Sequence, residues 1–296
     1  SQEGTAAGSL FDRYSGRANF DRRAAKWLKV GANVMFNYQN IQQADEGAYT
    51  LVTPISAARF MMPYWDPHRA DGSLASISDG TWKGQGQNPL EWLANNPVTF
   101  KKYKMMGTVY GEARPIEGLT LRSQFGVDYG HTTGFAVSYP SYAPNQGSGS
   151  ASRSSTDGMQ LTITNTINYN FTKQTSRLHS FNFMVGQEGV DYHYEAFSLS
   201  TAGQNNDLLT NISNGTRATS WDDTTDSDYG FLSFFGRAEY NLDSRYFVEL
   251  SARADGSSRF GRSRRWAGFW SVSLMWNMRN EKFMESASCW LTNAQL

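Results

Sequence analysis

Cysteine is almost missing from this chain. Cys289 is the only one in 296 residues, which excludes an intrachain disulfide framework and a thiolate metal cluster. Long hydrophobic runs are missing as well. No stretch reaches the roughly eighteen apolar residues of a membrane-spanning helix, and mean hydropathy is −0.55. A transmembrane β-barrel survives this test, because its strands alternate apolar and polar residues and keep the average low. No excess of one charge exists either: 27 basic residues face 27 acidic ones, which gives no electrostatic case for nucleic acid. The four histidines, His68, His131, His179 and His193, show no metal-ligand spacing, and neither a Gly-x-Ser-x-Gly elbow nor a phosphate-binding loop occurs. Catalysis and cofactor binding are therefore not expected. The first residues carry no Met, basic n-region or apolar h-region, so a removed signal or a start inside a longer polypeptide is expected.

What is present points to strands. Aromatic residues make up 14 % of the chain and glycine reaches 27, while proline, at 8, seldom interrupts. Period-two alternation recurs many times. From Met159 to Phe171, one face carries Met159, Leu161, Ile163, Asn165, Ile167, Tyr169 and Phe171, and the other carries Gln160, Thr162, Thr164, Thr166, Asn168 and Asn170. From Trp266 onward, Trp266, Trp270, Val272, Leu274, Trp276 and Met278 share a face, with large aromatics at both ends, as at two membrane–water interfaces. Segments near 11–23, 28–40, 101–114, 119–130, 177–190, 229–241 and 245–255 fit the same template.

The connections alternate in length. Tight turns fall at Arg23–Trp27, Pro115–Gly118, Thr172–Ser176 and Leu242–Ser244; long polar loops are expected at 41–100, 131–157 and 191–228, with a shorter one at 256–265. Tight turns at one rim and long loops at the other are the pattern of a bacterial outer-membrane barrel, with the turns periplasmic. The fold class is all-β, a transmembrane antiparallel barrel segment of nine to ten strands, with 1–296 as one partial barrel domain. Within the hairpin at 229–255, setting Tyr240 opposite Tyr246 brings Ala238 to Val248 and Gly236 to Leu250, and pairs Arg237 with Glu249 on the inner wall. Arg17, Asn33, Arg122 and Gln124 are expected on that wall too.

Other candidate sites lie in the loops. Tyr64, Trp65, Trp82 and Trp92 stand among Gly, Asp, Asn and Gln in the first long loop, where they can stack on a ligand, meet a partner or pack the loop on itself. Asp222, Asp223, Asp226 and Asp228 offer hard oxygen ligands for calcium, without EF-hand spacing; a solvated face is the plainer reading. Arg259, Arg262, Arg264 and Arg265 make a basic cluster suited to lipopolysaccharide or to acidic loops. The sequons at Asn211 and Asn214 read as chance matches in a bacterial chain.

The stretch Asp255, Gly256, Ser257, Ser258, Arg259, Phe260, Gly261, with Arg265 and Trp266 after it, resembles the barrel of SusC/RagA-like TonB-dependent outer-membrane transporters of Bacteroidetes. Phe235–Tyr240, Arg245–Leu250, Glu281–Met284, Asp12–Arg17 and Trp27–Asn33 extend the likeness. The resemblance implies a 22-stranded barrel around an N-terminal plug, a SusD-like surface lipoprotein as lid, and import of glycans or peptides driven by TonB with ExbB/ExbD. No TonB box or plug is recognisable here, so a fragment of a longer transporter is expected. A passive porin or adhesin barrel, or a soluble all-β binding protein, remain the alternatives.

Overall fold

The computed structural model describes residues 1–4, 7–44, 52–175 and 177–287. Its strands are β1 (Gln2–Glu3), β2 (Leu10–Ala25), β3 (Leu28–Gln42), β4 (Val98–Ala113), β5 (Leu119–Ser138), β6 (Gly149–Gln174), β7 (Leu178–Gln204), β8 (Arg217–Asp226), β9 (Tyr229–Leu242), β10 (Tyr246–Ser257) and β11 (Trp266–Trp276); α1 (Pro54–Phe60) and α2 (Pro89–Asn95) interrupt the first long connection. All the strands form one antiparallel sheet in chain order, except that β8 and β9 share one edge of β7, β8 along its outer part and β9 along the rest.

The sheet has almost no core of its own. Phe36, Val109, Phe125, Ile163, Val185, Leu250, Trp270 and Leu274 are all exposed on one face, an apolar surface far larger than a soluble monomer tolerates. Twelve steps separate Met159 from Phe171 on β6, about 40 Å of strand. A tilt of about 45° reduces that to about 28 Å of depth, close to a bilayer's hydrocarbon thickness. Aromatic side chains gather where this belt ends. Toward the tight turns, Phe171 stacks on Phe181 (4.8 Å between centroids) and Phe181 meets Tyr240 (4.9 Å). Toward the other rim, Tyr14, Tyr38, Tyr103 and His131 form a row across four strands.

One polar stripe crosses the greasy face. Ser123 Oγ donates to Asn165 Oδ1 (2.7 Å), and Asn165 Nδ2 donates to Gln187 Oε1 (3.0 Å). Each side chain relieves its neighbour's need for water, which the bilayer does not supply.

The tight turns follow local chemistry. Gly118 takes φ +78°, and a Cβ there would lie 2.1 Å from the carbonyl oxygen of Asn170. Asp243 and Ser244 are both left-handed (φ 54° and 57°), and Arg245 N–H closes the turn onto Leu242 O at 2.9 Å. This turn is tighter than the alternation suggests and moves the register by two residues. Tyr246 pairs with Leu242, Val248 with Tyr240 and Leu250 with Ala238, so Glu249 faces Glu239 and Arg237 faces Ser251. The expected Arg237–Glu249 partnership is corrected; the faces are unchanged, because a slip of two preserves the pleat.

The outer loops are shorter than expected. In 131–157 the β5–β6 ladder continues through Ser138 and Ser150, leaving only 139–148 as connection, and 191–228 holds the end of β7 and all of β8. Beyond the bilayer both faces of these strands meet water. Ser, Thr and Gly then fill alternate positions on both sides, and the period-two contrast vanishes.

Candidate functional site: inner wall and outer rim

The pleat turns every second side chain inward, and the register fixes which. On β2 to β5 the inner wall receives Arg13, Arg17, Arg23, Lys29, Lys102, Lys104 and Arg122 against Asp21, Glu112 and Asp128. On β7 to β10 it receives Glu188, Glu239, Glu249 and Asp255 against Arg237 and Arg253. The wall is thus polarised, basic on one side and acidic on the other.

The acidic side is closely paired. Arg253 Nε donates to Asp255 Oδ1 (2.6 Å), and its Nη2 reaches Ser233 Oγ (3.0 Å) and Glu188 Oε1 (3.4 Å). Arg237 pairs within its own strand with Glu239 (2.7 Å), which also accepts from Asn182 Nδ2 (2.9 Å). Such intrastrand, i to i+2 partners are invisible to cross-strand reasoning. Near the tight turns, Glu112 holds Arg114 (2.8 Å) and Arg122 (3.6 Å), and the Arg122 guanidinium lies 4.1 Å from the centroid of the Tyr110 ring.

The stretch from Asp255 to Trp266 is a latch joining hairpin to wall. Ser258 N–H donates to Gly230 O (2.9 Å) while its Oγ accepts from Gly230 N–H (2.8 Å). Ser257 is buried, donates its N–H to Arg265 O and accepts Arg259 N–H at its Oγ. Arg259 covers the Tyr229 ring at 4.0 Å, and Tyr192 stacks on Tyr229 at 4.6 Å. Arg265 Nε caps Phe260 O (3.2 Å), and a 3₁₀ turn at Arg262–Arg264 follows Gly261. Gly256 leaves room for the Trp266 indole, which would lie 3.0 Å from a Cβ and stacks on Phe234. Tyr192, Tyr229 and Phe231 were not singled out from sequence, since only the register brings them together.

The four loop aromatics separate. Trp82 is buried, its Nε1 donating to Gly86 O (3.1 Å), so it holds the loop rather than offering a surface. Trp92 on α2 borders one cleft together with Val98, Val137 and Ala151 at the ends of β4 to β6 away from the tight turns. Tyr64 and Trp65 meet edge to face at 5.9 Å, with Tyr64 74 % exposed. Around Trp82 the rim has a genuine core. Asn88 is wholly buried; its Nδ2 donates to Pro67 O (2.7 Å) and Ala75 O (2.8 Å), and its Oδ1 caps α2 by accepting from Leu90 N–H (3.1 Å). Burial, with the Glu91 carboxylate nearby, pushes the Tyr142 hydroxyl up to about 12.

Among the described residues no group of three or more His, Cys, Asp or Glu side chains is arranged for a metal, and of the acidic run only the Asp226 and Asp228 side chains are described. Asp228 instead bonds His193 Nδ1 at 2.5 Å. The side chains of Asp222 and Asp223 lie outside the described residues, as does Cys289.

No family model matches the chain. It is 24 % identical over 292 residues to TonB-dependent receptor P26 of Formosa agariphila, covering 96 % of this chain and 28 % of that protein. It is 26 % identical over 280 residues to TonB-dependent receptor SusC of Bacteroides thetaiotaomicron, covering 88 % of this chain and 27 % of SusC. Its fold superposes on the RagAB peptide transporter with a TM-score of 0.83 and 30 % identity, over 97 % of this chain and 32 % of that one. The chain therefore spans about a third or less of the proteins it matches. These relatives are receptors and transporters, not enzymes. In sequence and in fold, the chain is similar to a barrel segment of SusC/RagA-like TonB-dependent receptors.

Proposed function

We propose that this chain forms part of the wall and outer rim of a TonB-dependent importer in the bacterial outer membrane, carrying glycans or peptides inward. One observation supports this most: a continuous apolar outer face backed by a charged inner wall, on a fold shared with a peptide transporter over 97 % of the chain. A wall of this kind does no covalent chemistry. It encloses a wet passage, gives a plug something to seal against, and insulates both from lipid.

The partners follow from the two rims. Exposed Tyr64, backed by half-buried Trp65, stands in the first long connection and offers an aromatic contact for a SusD-like surface lipoprotein. The basic turn at Arg262 and Arg264 suits lipopolysaccharide phosphates. TonB with ExbB/ExbD would act through a plug region enclosed by the wall.

The test is uptake of labelled oligosaccharides and peptides by cells carrying the full-length protein, with and without TonB. Uptake that needs TonB and an energised inner membrane is expected. Uptake that persists after TonB is removed and the membrane is de-energised would favour a passive porin and overturn the proposal.

A further inference from the structure

Three cations of the basic wall contrast with the ion-paired arginines of the opposite wall. Arg13 on β2 and Lys102 on β4 point inward near the rim away from the tight turns, Arg17 points inward at mid-strand on β2, and all three are exposed. Both guanidiniums are held by neutral amides. Asn37, only 3 % exposed, sets its side-chain amide against Arg13, and with the amide oxygen facing the guanidinium it accepts from Nε and Nη2 at 2.6 and 2.8 Å; Asn19 Oδ1 accepts from Arg17 Nε at 3.2 Å. None of the three has a carboxylate partner among the described residues, whereas adjacent Lys104 pairs with Asp128 at 3.1 Å. A buried amide fixes direction without cancelling charge. On the opposite wall, by contrast, Arg237 and Arg253 are neutralised by carboxylates.

We infer that Arg13, Arg17 and Lys102 form a recognition surface for carboxylate side chains of an acidic peptide entering from the outer rim. The inference rests on the importer reading above, and it takes the peptide branch because the RagAB structure is that of a peptide transporter. Spacing supports an extended occupant. Arg13 and Arg17 lie four residues apart on one strand, about 13 Å, and Lys102 lies two strands from Arg13, about 10 Å. Acidic side chains four residues apart on an extended peptide share one face and span the Arg13–Arg17 distance, with Lys102 flanking that line. Planar guanidiniums oriented in advance also suit bidentate capture of carboxylates.

The experiment uses the full-length protein in its membrane, with any surface partner present. Binding and uptake are measured for an extended peptide bearing glutamates at i and i+4, and for its glutamine counterpart, in wild type and in an Arg13→Gln/Arg17→Gln/Lys102→Gln variant. Wild type should prefer the acidic peptide by about tenfold, and added salt should erode that preference. The variant should lose the preference and keep its uptake of the glutamine peptide, and Arg17→Lys should retain most of it. An unchanged preference in the variant, or equal loss of both peptides, overturns the inference; the second outcome would point to a surface used by the plug. If peptides are taken up without regard to charge, only this inference fails. If peptides are not imported at all but acidic or neutral glycans are, the peptide assignment falls, and energised uptake of glycans leaves the importer reading standing.

Discussion

The wall and the outer rim are built on opposite principles. In the wall, the ladder of backbone hydrogen bonds carries the structure and the large apolar side chains face outward, so exposure to lipid replaces a core. In the rim, Ala44, Ala57, Ala75, Trp82 and Tyr142 are buried as in a soluble domain, and a single asparagine ties three backbone groups together. The same chain thus answers two solvents. A substitution that is harmless in one region is costly in the other.

That difference can be broken in order of size. Trp82→Ala should destabilise the rim by about 3–5 kcal/mol, the usual range for an emptied aromatic site. Limited proteolysis would then cut within 52–97 while the wall keeps its heat-modifiable migration; equal resistance to protease would contradict a buried Trp82. Ile163→Arg, in mid-belt on β6, should cost about 2–4 kcal/mol in a bilayer, measured as a lower denaturant midpoint in liposomes. An arginine tolerated there would mean that this face meets water. Asn88→Ala should cost the rim about 2–3 kcal/mol, roughly one for each lost hydrogen bond, read as faster amide exchange in α2 with none in β9 or β10.

Two smaller effects sharpen the comparison. Glu249→Gln removes a like charge directly opposite Glu239 and should stabilise the hairpin by about 0.5 kcal/mol; destabilisation would instead favour a partner such as Arg237. In the rim, Asp71 is held below the usual carboxylate range by the Ser73 hydroxyl and backbone N–H, and Asp79 by those of Thr81, with Arg69 helping both. A lowered folded-state pKa adds stability above the unfolded value, and that stability fades as pH falls through the folded one. Acidification below about pH 4 should therefore loosen 66–82 before it affects the wall, seen as a proteolysis threshold in that loop.

Where lipid touches one face and water the other, the sequence is easy to read. Leu28, Val30, Val34 and Phe36 against Lys29, Asn33 and Asn37 declare both the strand and its orientation. Once a strand leaves the apolar belt, as in β6 before Met159, small polar residues fill both faces and the signal fades, although the pairing goes on. Register was hidden for another reason. It depends on whether Asp243 and Ser244 adopt left-handed backbone, a choice that residue identity permits without requiring. The charge network depended on register, so Arg237 found Glu239 in place of Glu249. The family-like stretch from Asp255 to Trp266 was recognisable as a string, while its role as a latch on Tyr229 and Gly230 needed the fold.

The β6–β7 ladder, 26 and 27 residues long, outruns the belt it crosses. In the proposed outer-membrane placement, an antibody, a phage or a protease would meet that surplus as a stiff mast with few cleavable joints. The same geometry sets where a fluorophore or affinity tag can be spliced in. The joints at 139–148 and 205–216 interrupt no ladder, whereas an insertion near 152 or 198 would pull apart paired strands far from the loop it was meant to occupy.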